Sequence, residues 1–296
     1  MSDQISIDAI LPPGMAAKAE DLGVKKANLN ILNMFVLGIL AGAFIALGAI
    51  FCTTVLAGTS ALPYGIQRLL GGTVFTLGLI LVVVGGAELF TGNNLILMAF
   101  ASGKVSLAAL LRNWVVVYTG NFVGSIATAI IMFLSTQYSF GGGAVGTTAL
   151  AIANSKSGLD FIPAVALGIM CNALVCLAVW LCYSARSTTD KILSIIPPIA
   201  AFVAAGFEHS VANMYFIPIG LFIKAGAPAE FWTAIGKTAG DYANLTWANF
   251  FLKNLLPVTI GNIIGGAFMV GLVYWFIYLR KPVAAKPAVE QLQKSR

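Results

Sequence analysis

The sequence predicts an all-α membrane protein: six transmembrane helices in two inverted three-helix repeats, with the second and fifth helices broken. Three observations carry this. First, the 296 residues are 59% hydrophobic and 9% charged, against about 25% charged in a soluble domain. Lipid must therefore cover apolar surface that one globular core cannot hide. Second, four charge-free stretches exceed the ~20 residues a helix needs to cross ~30 Å of hydrocarbon. Third, Gly85–Asn94 (GGAELFTGNN) is echoed at Gly206–Met214 (GFEHSVANM). Gly86, Glu88 and Asn93 fall on Gly206, Glu208 and Asn213 at one offset of 120 (206−86, 208−88, 213−93).

Residues 1–27 hold no apolar signal segment and read as a cytoplasmic N-terminal amphipathic-helix segment, its charged stretch Glu20–Lys26 forming a short helix ahead of the first span. Charge is absent between Lys26 and Arg68, Arg112 and Lys156, Asp160 and Arg186, and Lys253 and Arg280, which gives spans near 30–57, 108–135, 161–184 and 254–279. Two segments differ. Arg68 to Glu88 leaves 19 uncharged residues, Glu88 to Lys104 15, Lys191 to Glu208 16 and His209 to Lys224 14. A 14-residue helix reaches only about 21 Å, so each segment reads as one span interrupted near its middle. Gly85, Gly86, Gly92 and Gly206 permit the non-helical backbone. The transmembrane domain is thus 28–281, with repeats near 28–136 and 160–281; 282–296 reads as a solvated cytoplasmic tail.

The repetition extends further. Leu111–Asn121 aligns with Leu252–Asn262 at an offset of 141 (252−111), and Leu37–Ile39 with Leu167–Ile169 at 130 (167−37), which sets Gly42 on Asn172. Three crossings per half put the halves in opposite orientations, the inverted-repeat plan in which broken helices meet at mid-membrane. With the N-terminus inside, 12 Lys and Arg lie on the inner side and five outside: Arg68, Lys156, Lys224, Lys237 and Lys253. Both termini are expected in the cytoplasm of a multi-pass cytoplasmic (inner) membrane protein. The net charge of +6 follows from this topology and implies no nucleic-acid partner. Cys52, Cys171, Cys176 and Cys182 lie in apolar segments at spacings that match no metal motif.

The stretches VVGGAELFTG (Val83–Gly92), GIMCNALVCLA (Gly168–Ala178), GFEHSVANM (Gly206–Met214) and TIGNIIGG (Thr259–Gly266) resemble the formate/nitrite transporter family, its formate channels most closely. The resemblance covers both halves. It implies an aquaporin-like six-helix protomer, a homopentamer with a pore through each protomer, passage of formate and related small monovalent anions, and no bound cofactor or metal.

His209, the one histidine in the chain, is the expected proton donor. An unperturbed imidazole titrates near pH 6.5, whereas a carboxylic acid of pKa about 4 is about 99.9% anion at pH 7. The anion meets a desolvation barrier in an apolar constriction that the neutral acid avoids. Thr91 offers a hydroxyl across from His209. The resemblance adds Asn172 to this polar centre. Glu88 and Glu208 are expected to accept the backbone N–H bonds freed by the breaks; a proton relay from Glu208 to His209 is the alternative. Asn213 and Asn262 read as scaffold.

The resemblance also implies constrictions at Leu79, Leu89 and Phe90 toward the cytoplasm and at Phe75, Val175, Phe202 and Phe207 toward the outside. It gives Lys156, expected in an outer loop, the task of attracting anions. Gly92–Gly103 is expected to be an irregular cytoplasmic loop. Nitrite and hydrosulfide are the rival solutes. A water or glycerol pore would call for paired Asn-Pro-Ala motifs, which the chain lacks. An enzyme is disfavoured by the absence of clustered metal ligands and of a nucleotide-binding glycine loop.

Overall fold

A computed structural model describes residues 8–280; the expected tail 282–296 lies outside them. Every regular element among the described residues is helical. The first helix, α1 (Pro12–Ala27), opens on two prolines, whose missing N–H groups cost nothing in a first turn, and closes on Lys25 and Lys26 at its negative end. It lies within the expected N-terminal segment 1–27 and is longer than its charged stretch Glu20–Lys26. Asn30 starts α2 (Ile31–Leu56) by accepting the Asn33 N–H at 2.8 Å. Next come α3 (Tyr64–Gly85), α4 (Phe90–Ala101), α5 (Leu107–Leu134), α6 (Ala144–Ser157) and α7 (Phe161–Ser184). A Ser187–Asp190 capping box begins α8 (Thr188–Ala204), followed by α9 (Ser210–Gly226) and α10 (Ala229–Ile235). Last is α11, a continuous helix over 247–278 with π-helical turns at Phe250–Leu255 and Ile264–Leu272.

By length and composition α2, α3, α5, α7 and the run Ala239–Tyr278 can each cross a membrane. Their outward side chains are apolar: Val115, Ile131, Ile162 and Leu252 are exposed, as lipid-facing helices require. Two pairs, α2 with α5 and α7 with α11, cross backbone to backbone. A Cβ on Gly124 would strike the Ile39 carbonyl, and one on Gly265 the Ile169 carbonyl, so only glycine allows the approach.

Two expectations are corrected. The connection 136–160, expected to be an outer loop, contains the helix α6, hidden in the sequence inside a long charge-free gap. The segment after Gly92 is helical, with one 3₁₀ turn at Asn94–Ile96, because its buried residues satisfy backbone groups best along the chain.

Candidate functional site

The site begins where α3 and α8 stop. Gly86 and Gly206 take φ of 82° and 78°, a left-handed conformation that ends a helix. The next N–H groups turn back, Ala87 to the Val82 carbonyl at 2.9 Å and Phe207 to the Phe202 carbonyl at 3.0 Å. The Glu88 and Glu208 N–H groups reach across to the Leu37 and Leu167 carbonyls at 3.2 and 3.3 Å. Each non-helical stretch is then held by one asparagine. Asn121 accepts the Phe90 N–H at 2.9 Å and donates to the Gly38 and Glu88 carbonyls at 2.8 and 2.9 Å. Asn262 accepts the Ser210 N–H at 2.9 Å and donates to the Gly168 and Glu208 carbonyls at 2.8 and 3.0 Å.

The two carboxylates therefore do not cap these helix starts as expected. Glu88 receives Lys26 Nζ at 2.7 Å and Asn93 Nδ2 at 2.7 Å. Glu208 receives Lys156 Nζ at 2.7 Å, Asn213 Nδ2 at 2.6 Å and Asn254 Nδ2 at 3.2 Å. A buried carboxylate needs a counter-charge more than a backbone dipole. The asparagines, being neutral, serve the backbone without that cost. Lys156 is accordingly not a solvated loop residue. It sits at the end of α6, ion-paired, with Nζ 5.6 Å from the centre of the Phe216 ring.

His209 is 3% exposed. Its Nδ1 accepts the Ala212 N–H at 3.0 Å, which caps α9 and leaves the proton of the neutral ring on Nε2. Nε2 lies 3.0 Å from Thr91 Oγ1, so the hydroxyl after the first break meets the ring of the second. Phe202 stacks on the imidazole, centroids 5.9 Å apart. Asn172 spends its amide donors on the Thr91 carbonyl (3.2 Å), Asn94 Oδ1 (2.8 Å) and the Asn262 carbonyl (2.7 Å). Glu208 is bonded to Lys156 and two asparagines, and no bond joins its carboxylate to His209.

A cavity of about 260 Å³ brings together Lys26, Leu79, Glu88, Leu89 and Asn93. Phe90 turns away from it. Its ring packs edge-on against Tyr118 and Trp114, with centroids 4.9 and 6.1 Å away, and lines a separate apolar cavity of about 410 Å³ between α5 and α11. On the other side Phe75 meets Phe202 at 5.8 Å and Phe216 at 6.2 Å. Val175 is buried in the same core, and Phe207 packs partly buried against it.

Lys26, Asn113 and Asn254 escaped the sequence reading. Asn113 accepts from Asn93 at 2.9 Å and donates to the Lys26 carbonyl at 3.1 Å; Asn254 accepts from Asn213 at 2.7 Å and donates to the Lys156 carbonyl at 3.0 Å. A signal was present, since the offset of 130 carries Lys26 onto Lys156 (156−26) and that of 141 carries Asn113 onto Asn254 (254−113). Phe216, among 19 phenylalanines, had none.

All-helical architecture, apolar crossings and paired polar clusters define a membrane transport protein, and a profile of the formate/nitrite transporter family matches residues 13–276. The chain belongs to this family. It is 49% identical to the formate channel FocA of Escherichia coli strain K12, over 93% of this chain and 96% of that protein. It is 43% identical to the formate channel FocA of Haemophilus influenzae, over 91% and 95%. A solved pentameric formate channel with formate bound superposes with a TM-score of 0.81 at 50% identity, covering 84% of this chain and 98% of that one. An FNT family ion channel gives 0.74 at 31% identity, over 89% and 98%.

Proposed function

We propose that the chain passes formate and related small monovalent anions across the cytoplasmic membrane. In this reading α3 with α4, and α8 with α9, are each one interrupted crossing. That makes six crossings in two inverted repeats, both termini in the cytoplasm and five protomers per assembly, each with its own aquaporin-like pore. The named relatives support formate and the pentamer. The contact that carries the site assignment is His209 Nε2 against Thr91 Oγ1 at 3.0 Å, the point where the two interruptions meet.

An anion that has shed most of its water reaches this pair between Leu79 and Leu89 on one side and Phe75, Val175, Phe202 and Phe207 on the other. Thr91 and the Nε2–H offer it hydrogen bonds. Proton donation from Nε2 requires a second proton at Nδ1, where it displaces the Ala212 N–H; the neutral acid then crosses the apolar narrowing without the Born cost of the anion. Asn172 and Glu208 act through position, the first by fixing Thr91 and Asn262, the second by compensating Lys156. Lys156 contributes its field to the outer approach, weakened by that pairing.

Uptake of labelled formate and nitrite into proteoliposomes tests the reading. Formate flux far above that of protein-free vesicles is expected. Strong nitrite or hydrosulfide flux with negligible formate flux overturns the choice of solute, and osmotic swelling with no anion uptake points to a neutral-solute pore.

A further inference from the structure

Of the cations counted to the outer side, Lys156 is committed to Glu208. Lys224 Nζ is committed to the Tyr242 and Leu245 carbonyls at 2.8 and 3.0 Å. Arg68 is placed differently. It lies half-buried in α3, at the end away from Gly86. Its Nε donates to the Ala204 carbonyl at 3.0 Å and its Nη2 to the Val203 carbonyl, both at the C-terminal end of α8. Nη1 has no hydrogen-bond partner among the described residues, and no carboxylate among them pairs with the guanidinium.

Arg68 lines a cavity of about 520 Å³ that also presents Ser60, Gln67, Thr147 and Thr148. Arg68 precedes Phe75 by seven residues, two turns along one face of α3. The Phe75 ring meets Phe202, so one face of α3 carries Arg68 at the cavity and Phe75 at the aromatic contact.

We propose that this cavity is an outer loading site, where a small monovalent oxyanion rests against the free edge of Arg68 before it enters the narrowing. The proposal rests on the anion-channel reading above. A guanidinium keeps its charge at every working pH and presents a planar pair of donors suited to carboxylate oxygens. The negative end of α8 orients it and leaves its outer donors to the solute. The Ser60 hydroxyl and the second Gln67 amide hydrogen add donors, the first amide hydrogen being held by Thr59 Oγ1, while the Thr147 and Thr148 hydroxyls are spent on the Gly143 and Ala144 carbonyls. A site of one charge releases its anion readily, as conduction demands.

The test is formate current across oriented planar bilayers, formate being added to one face at a time, at an ionic strength of ~10 mM where the screening length is about 30 Å. Arg68→Gln is expected to lower current for formate entering from the Arg68 face about three- to tenfold and from the other face less than about twofold, and raising salt to ~0.3 M is expected to erase the difference. Arg68→Lys should keep most of the current. Gln67→Glu leaves the Arg68 bonds to α8 in place and sets an opposing charge on the same wall, so it should reproduce the low-salt loss even if Arg68→Gln does not assemble. A loss equal from both faces, or one that survives high salt, makes Arg68 a mere pin for α8 and overturns the proposal. Unchanged current in Gln67→Glu, with a conducting wild type, overturns it as well. A wild type that conducts formate from neither face overturns the channel reading together with it.

Discussion

Tyr118 Oη and Thr259 Oγ1 lie 2.9 Å apart, and the two residues are counterparts at the same offset (259−118 = 141) that carries Asn121 onto Asn262. Contact between counterparts is what the proposed inverted repeat requires at its two-fold axis. The contact borders the cavity that receives Phe90. Tyr118→Phe removes one hydrogen bond while Thr259 keeps its own to the Leu255 carbonyl. A loss of about 0.5–1.5 kcal/mol is expected, read as a small fall in melting temperature with flux retained.

The Lys156–Glu208 pair calls for a double-mutant cycle. Lys156→Met leaves an uncompensated carboxylate that is 4% exposed and should destabilise by about 3–5 kcal/mol. Glu208→Gln in the same chain should restore most of that. Thermal unfolding in detergent is the measurement, and additive single effects would contradict a pair that acts as one unit.

Asn262 holds the Ser210 N–H and the Glu208 carbonyl of the non-helical stretch and adds a second bond to the Gly168 carbonyl inside α7. Asn262→Ala strands the first two, at about 1–3 kcal/mol for each buried group left unpaired. Failure to assemble, or a melting temperature far below that of Tyr118→Phe, is expected. Asn121→Ala should behave alike.

His209 has two separable tasks, capping through Nδ1 and contact with Thr91 through Nε2. His209→Asn can keep the cap, since its side-chain oxygen can accept the Ala212 N–H. His209→Phe loses both tasks and about 1 kcal/mol of helix-start stability. Both variants should lose the pH dependence of formate flux, and only the Phe variant should melt early. Flux and pH dependence unchanged in both would remove His209 from the mechanism.

On the exposed turn ahead of α11, Asp241 is held below its ordinary carboxylate pKa by the Thr238 backbone N–H and hydroxyl. A carboxylate lowered in the folded state stabilises it above the unfolded pKa, and that contribution fades as pH falls through the folded value. Thr238→Val should therefore lose the hydroxyl's share of this stabilisation at neutral pH and differ less from wild type below about pH 4. Melting temperatures across that range are the check.

Glycines and carboxylates inside apolar stretches make the ends of α3 and α8 legible, because each is expensive there without a reason. Helix extents were legible for the same cause: 161–184 was expected and Phe161–Ser184 is observed. Bonding was not. Lys26 counts only as a topology marker and Lys156 as an anion-attracting loop residue, and a charge count says nothing of what a lysine reaches. The helix α6 lay in a gap free of charges, where span length alone was weighed. Phe90 follows a non-helical stretch, so no period fixes the direction of its ring.

The twin asparagines confine any attempt to redesign this protein. Asn121→Asp would put acceptors where carbonyls already crowd, and Asn121→Gln would overshoot by a methylene, so neither near relative of the amide can substitute. Both positions are closed to variation, and a library meant to retune selectivity has its freedom along the aromatic faces of α3 and α8.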